Sequence, residues 1–132
     1  MATTPGERKE VRLELASQPA SIKIARDAVG ELADQAGAVT KDVKLAVSEA
    51  VTNAVVHAFR GREPGTISVE ARVSRGLLLV VVADDGLGMV PNPDSAGLGL
   101  GLSLITQLSR DVRFDSDSGG VTVSMSFEID RA

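Results

Sequence analysis

Leu77-Leu78-Leu79-Val80-Val81-Val82-Ala83-Asp84-Asp85-Gly86-Leu87-Gly88-Met89 holds the sharpest change of character in this chain: an unbroken apolar run passes directly into two carboxylates and a glycine-punctuated turn. The apolar run is far too short to span a bilayer and reads as a central strand whose faces are largely enclosed. Carboxylates at the mouth of such a strand can accept an amine from a bound base, and glycines spaced by one residue let backbone approach a flat ligand. A plain tight turn after a strand fits the same letters, so the flanking segments have to decide.

Upstream, Ile67, Val69, Ala71 and Val73 alternate with polar residues as a second strand, joined to the first by an Arg75-Gly76 turn. Downstream, the loop from Asp84 to Gly97 carries Pro91 and Pro93, after which Leu98, Leu102, Ile105 and Leu108 resume helical spacing. Strands over Val112–Phe114 and Val121–Phe127 follow, separated by an expected turn from Asp115 to Gly120.

Toward the N-terminus, Val11, Leu13 and Leu15 alternate as a strand that Pro19 ends. Ile22, Ala25, Val29, Leu32 and Ala36 then mark an amphipathic helix stopped by Gly37. Thr40 is the expected N-cap of a second helix running to about Phe59, with Val43, Ala46, Val47, Ala50, Ala54 and Ala58 toward the core. The order predicts an α+β, two-layer α/β sandwich: a mixed, mostly antiparallel sheet of about five strands with three helices on one face. Residues 1–9 read as a flexible tail and 10–132 as a single domain.

Composition narrows the function. The formal charge of -4 and the absence of Trp and Tyr argue against direct nucleic-acid binding, which needs a basic surface or stacking rings. Cysteine is absent and His57 is the only histidine, which removes thiolate and histidine-cluster metal sites. The polar N-terminus and the lack of a long apolar segment predict a cytoplasmic protein without a membrane span.

Two further patterns carry chemistry. Glu49, Asn53 and His57 recur at i, i+4 on the second helix, so a carboxylate and an amide share one face and could hold a hard cation or order a water; a solvated helix face fits equally. Gly97-Leu98-Gly99-Leu100-Gly101-Leu102 opens the third helix. Alternating glycines there cost helix propensity and are tolerable where backbone N–H groups must face an anion. The pattern is neither a G-x-x-x-x-G-K-[ST] phosphate loop nor a dinucleotide fingerprint, so a phosphate ligand would need a separate cation, with Asn53 the candidate for Mg²⁺.

Taken in order, Glu49-Ala50-Val51-Thr52-Asn53-Ala54-Val55-Val56-His57-Ala58, Asp84-x-Gly86-x-Gly88 and Gly97-Leu98-Gly99-Leu100-Gly101-Leu102 resemble the N box and the two glycine boxes of the GHKL (Bergerat-fold) ATPase superfamily. Gly119-Gly120-Val121-Thr122-Val123 resembles its last, glycine-threonine box, so the likeness extends over about Val11 to Phe127. The nearest branch is that of the anti-sigma factor serine/threonine kinases. The single histidine lies inside the N box, and no histidine-bearing helical hairpin precedes it within these residues, which disfavours a detached histidine kinase fragment.

The resemblance implies ATP and Mg²⁺ as cofactors. It makes Glu49 the general base, Asn53 the metal ligand and Asp84 the acceptor of the adenine amino group. It sets Gly86, Gly88 and Met89 around the base, Gly97 to Leu102 around the phosphates, and Thr122 behind Asp84 or a nearby water; His57 is expected to pack or hydrogen-bond rather than catalyse. Closure of the Leu87–Ala96 loop is expected to limit hydrolysis by water. The implied partners are an anti-anti-sigma factor as phosphorylation substrate, a sigma factor that the protein sequesters, and a second copy in a homodimer. The chain departs from that branch twice: Asp94-Ser95-Ala96 stand where an arginine often precedes the second glycine box, and Val121 where threonine is more usual. A regulatory protein that binds its partner under ATP control without phosphotransfer is the alternative.

Overall fold

The computed structural model describes the backbone of residues 10–58, 65–85, 99–117 and 120–129. The expected tail at 1–9, the turn at 61–64 and most of the loop at 86–98 lie outside the described residues. Eight elements follow in order: β1 (Glu10–Ala16), α1 (Ala20–Ala36), α2 (Thr40–Ala58), β2 (Thr66–Ser74), β3 (Leu77–Asp84), α3 (Gly99–Leu108), β4 (Asp111–Asp117) and β5 (Gly120–Glu128).

The strands form one sheet in the order β1-β2-β3-β5-β4, and every neighbouring pair is antiparallel. The expected mixed, mostly antiparallel sheet is corrected in one respect: it has no parallel pair among the described residues and so is not mixed, because the connections set every strand beside neighbours that run against it. Two helices in series between β1 and β2 return the chain reversed. The single helix α3 makes β4 run in the direction of β3, but β5 lies between them and pairs with both.

Sequence chemistry accounts for the boundaries. Gly37 takes φ 91°, and its N–H donates to the Ala33 carbonyl at 3.0 Å while Ala38 N–H donates to the same oxygen at 3.0 Å, closing α1. Thr40 is the first residue of α2 rather than its cap, because Val39 supplies the first acceptor, to Val43 N–H at 3.1 Å. Ala38 is tied by a bridge to Ile129, so the chain enters the helix immediately afterwards. Arg75 (φ 51°) and Gly76 (φ 78°) form a two-residue turn between the paired Ser74 and Leu77, matching the type I′ hairpin. The last hairpin is longer than expected, pairing as far as Asp117 and Gly120. Asp115, Ser116 and Asp117 read as turn formers, yet they occupy an edge strand, where polar side chains are tolerated.

The helices cover one face of the sheet. α1 lies against β1 and β2, α2 against β3 and β5, and α3 against β4, with α2 between the other two helices. The core is aliphatic: Val29, Leu32, Val43, Val47, Val51, Ile67, Val69, Leu78, Val80, Val82 and Ile105 are fully buried or nearly so, with Met125 and Phe127 beside them. Each such side chain contributes roughly 1.5–3 kcal/mol relative to exposure. The consequence for function is positional. α2 ends, β2 begins, β3 ends, α3 begins and β5 begins at one end of this sandwich.

Candidate functional site

The helical groups of the candidate site come from α2, which runs toward that end of the sandwich. Glu49 is half-buried, and Asn53, one turn further along, is 6% exposed. Ser48 and Thr52 turn their hydroxyls back into the helix, donating to the carbonyls of Lys44 at 2.8 Å and Ser48 at 2.6 Å. Small Ala50 and Ala54 on the buried side let α2 sit close over β3 and β5. His57 belongs to the last turn of α2, and its expected packing lies outside the described side chains.

Asp84 closes β3. It pairs with buried Ile67 of β2, so strand alternation turns it to the helix-covered face along with Val80 and Val82, and it is half-buried. The next residue forms a clasp. Asp85 accepts the Thr66 N–H on Oδ1 at 2.9 Å and donates its own N–H to the Thr66 carbonyl at 3.3 Å. Gly65 leaves the space that this carboxylate fills, and its carbonyl accepts the Ser17 N–H at 3.0 Å. The strand end that carries Asp84 is therefore tied to the start of β2 and, through Gly65, to the residues leading into α1.

The first turn of α3 is Gly99, Leu100, Gly101 and Leu102, so four of the expected phosphate-side residues form a helix N-terminus beside α2. Unsatisfied N–H groups and the helix dipole favour an anion there. Gly86, Gly88, Met89, Gly97 and Leu98 lie outside the described residues.

Thr122 is where the structure departs from the expected site. It pairs with Ala83, which places it on the face away from the helices, whereas Asp84 is on the helix side. Val121, 7% exposed, takes the helix-side position next to Asp84. A period of two separates these faces, so the one-residue shift noted in the last box moves the hydroxyl across the sheet. Thr122 is therefore not positioned to support Asp84 from the nucleotide side.

Two residues at this site have structural roles that the sequence did not reveal. Gly120 has φ +134°, and a Cβ there would overlap the Asp84 carbonyl. Its place in a glycine pair was a visible signal. Asp85 was visible as the second carboxylate at the strand mouth, but its bond to Thr66 was not, because nineteen residues separate the two and only strand pairing unites them.

The donor set fits Mg²⁺ held chiefly by phosphate oxygens and water: Asn53 offers an amide oxygen and Glu49 a carboxylate on one helix face. Among the described residues no group of three or more His, Asp or Glu side chains could cage a metal without such a ligand.

Comparison with known proteins agrees with the fold. The family model described as histidine kinase-like ATPase domain covers residues 9–127. The serine-protein kinase RsbW of Listeria innocua is 35% identical over 135 aligned positions, covering 89% of this chain and 85% of its own length. The anti-sigma F factor of Clostridium novyi is 28% identical, covering 88% of this chain and 92% of its own length. Among solved structures, the RsbU and RsbW domains of a Mycobacterium tuberculosis protein superpose with TM-score 0.73 at 22% identity over 95% of this chain, which spans 34% of that one. The catalytic domain of histidine kinase ThkA gives TM-score 0.58 at 14% identity, covering 89% and 95% of the two chains. At these identities the structural likeness concerns the fold. The family model spans nearly the whole sequence, so the chain belongs to the histidine kinase-like ATPase domain family.

Proposed function

We propose that this protein is an ATP-dependent serine/threonine protein kinase that phosphorylates an anti-anti-sigma factor and sequesters a sigma factor. The observation that supports the reading is that α2, with Glu49 and Asn53 one turn apart, packs against both β3, which Asp84 closes, and α3, whose first turn carries Gly99 and Gly101. The serine-protein kinase and anti-sigma names of relatives that align over most of the chain support the same activity.

In this reading Asp84 accepts the adenine amino group, and the backbone N–H groups at the start of α3 receive phosphate oxygens. Mg²⁺, when bound, offsets negative charge on the phosphates, and Asn53 is its protein ligand. Glu49 takes the proton from a serine or threonine hydroxyl. The hydroxyl oxygen bonds to the γ-phosphorus while the bond to the β–γ bridging oxygen breaks, leaving a phosphoester and ADP. The protein acts as a homodimer in the cytoplasm, with residues 10–132 as its domain. Among the described residues no helix is long and apolar enough to cross a membrane.

The test is phosphoryl transfer from radiolabelled Mg-ATP to candidate anti-anti-sigma proteins, with Glu49→Ala as control. Rapid labelling of one partner that depends on Glu49 is the expected result. Tight ATP binding without labelling of any validated partner would replace this reading with that of an ATP-gated binding protein. Full labelling by Glu49→Ala would remove Glu49 as the base.

A further inference from the structure

Four large apolar side chains stand exposed among the described residues: Ile24, Val39, Leu45 and Val56. Two of them, Leu45 at 38% and Val56 at 41%, lie on α2, one turn before and two turns after Glu49. At 3.6 residues per turn, Leu45, Glu49, Thr52 and Val56 fall along one stripe of the helix, about 16 Å from end to end.

The stripe is drier than its letters suggest. The Thr52 hydroxyl beside Glu49 is spent on the Ser48 carbonyl, and the Ser48 hydroxyl on the Lys44 carbonyl, so neither needs an outside partner. Lys44 is drawn to the α1 flank, with its Nζ 4.0 Å from Asp27. Between Leu45 and Val56 the outer face of α2 thus presents Leu45, Ser48, Glu49, Thr52 and Val56, and the one ionisable group in that span is Glu49.

We infer that this Leu45–Thr52–Val56 stripe is the docking surface for the phosphoacceptor protein, which presents its serine or threonine beside an apolar patch that covers α2 on both sides of Glu49. The inference rests on the kinase reading above and deepens it. The occupant follows from position: a hydroxyl can reach the Glu49 carboxylate only if its carrier covers the helix surface around that residue. The chemistry agrees, since an apolar patch gains by burying Leu45 and Val56 while a charged one would be desolvated without a partner. Docking also strips water from around Glu49. Removing water takes away the nucleophile that would compete with the acceptor. A second copy of this chain, or the sigma factor, would cover the base without supplying a hydroxyl for it.

The experiment uses the full chain, radiolabelled Mg-ATP and the anti-anti-sigma protein that the unaltered chain labels. Leu45→Ser and Val56→Ser are made singly and together, with Leu45→Met plus Val56→Ile as the apolarity-retaining variant and Ile24→Ser on α1 as an off-stripe control. The double serine variant is expected to raise KM for the acceptor about ten-fold or more, with ATP affinity and acceptor-free ATP hydrolysis unchanged. The Met/Ile variant and Ile24→Ser should retain the original KM. An unchanged acceptor KM in the folded double variant overturns the inference and leaves the kinase reading standing. An equal rise in Ile24→Ser, or a parallel loss of ATP affinity, overturns it as well. If the unaltered chain labels no acceptor, the kinase reading fails and the docking surface fails with it.

Discussion

Gly120, the first residue of β5, lies so close against the backbone of Asp84 that any Cβ at that position would overlap the Asp84 carbonyl oxygen. The two residues are far apart in sequence and meet because β3 and β5 pair antiparallel up to Ala83 and Thr122. Gly120 also has φ +134°, a conformation that L side chains rarely adopt. Gly120→Ala is therefore expected to shift the end of β3, cost about 2 kcal/mol of stability and weaken ATP binding beyond the loss expected from partial unfolding. Calorimetric titration with ATP below the melting transition separates the two effects, and unchanged affinity would show that Asp84 is not placed by this contact.

The two hydroxyl positions in the last box separate cleanly. Thr122→Val removes a hydroxyl from the face away from Asp84, so ATP affinity should stay within about two-fold. Val121→Thr adds a hydroxyl on the helix side next to Asp84 and should change ATP affinity where Thr122→Val does not. Equilibrium binding of ATP to both variants is the check.

Asp85 is expected to matter for stability more than for chemistry. Asp85→Ala deletes the acceptor for the Thr66 N–H and opens the clasp at the end of β2, at a cost of about 1 kcal/mol. Denaturant unfolding measures the loss. Amide exchange at Thr66 should accelerate with it, and slow exchange there would contradict the assigned bond.

The acid limb of stability should include Asp27. Its carboxyl is held below the ordinary value of 3.8 first by the Lys23 hydrogen bond and also by Arg26, with desolvation opposing. The Lys23 Nζ lies 2.6 Å from Oδ2. Because the folded value is depressed, the stabilisation is fully present above the unfolded value and is lost as pH falls through the folded one, below about pH 3.8. Asp27→Asn should flatten that part of the unfolding-versus-pH curve. Salt should shrink the difference between the two proteins, as the groups are exposed.

Local chemistry in the sequence determined the elements, the glycine stop of α1, the type I′ turn at Arg75-Gly76, the aliphatic core and the α2 spacing that sets Glu49 one turn before Asn53. These were legible because capping, turn conformation and helical period depend on residues within a few positions of one another. Tertiary structure decided which strands are neighbours, and with that what reaches the site. The insertion of β5 between β3 and β4 sets Gly120 against Asp84, turns Thr122 to the far face and leaves Val121 in its place. Pairing of β2 with β3 brings Asp85 to Thr66. Strand order and register are fixed by burial summed over the whole sheet, and a shift of one residue reverses every face, so no local stretch of sequence could have specified them.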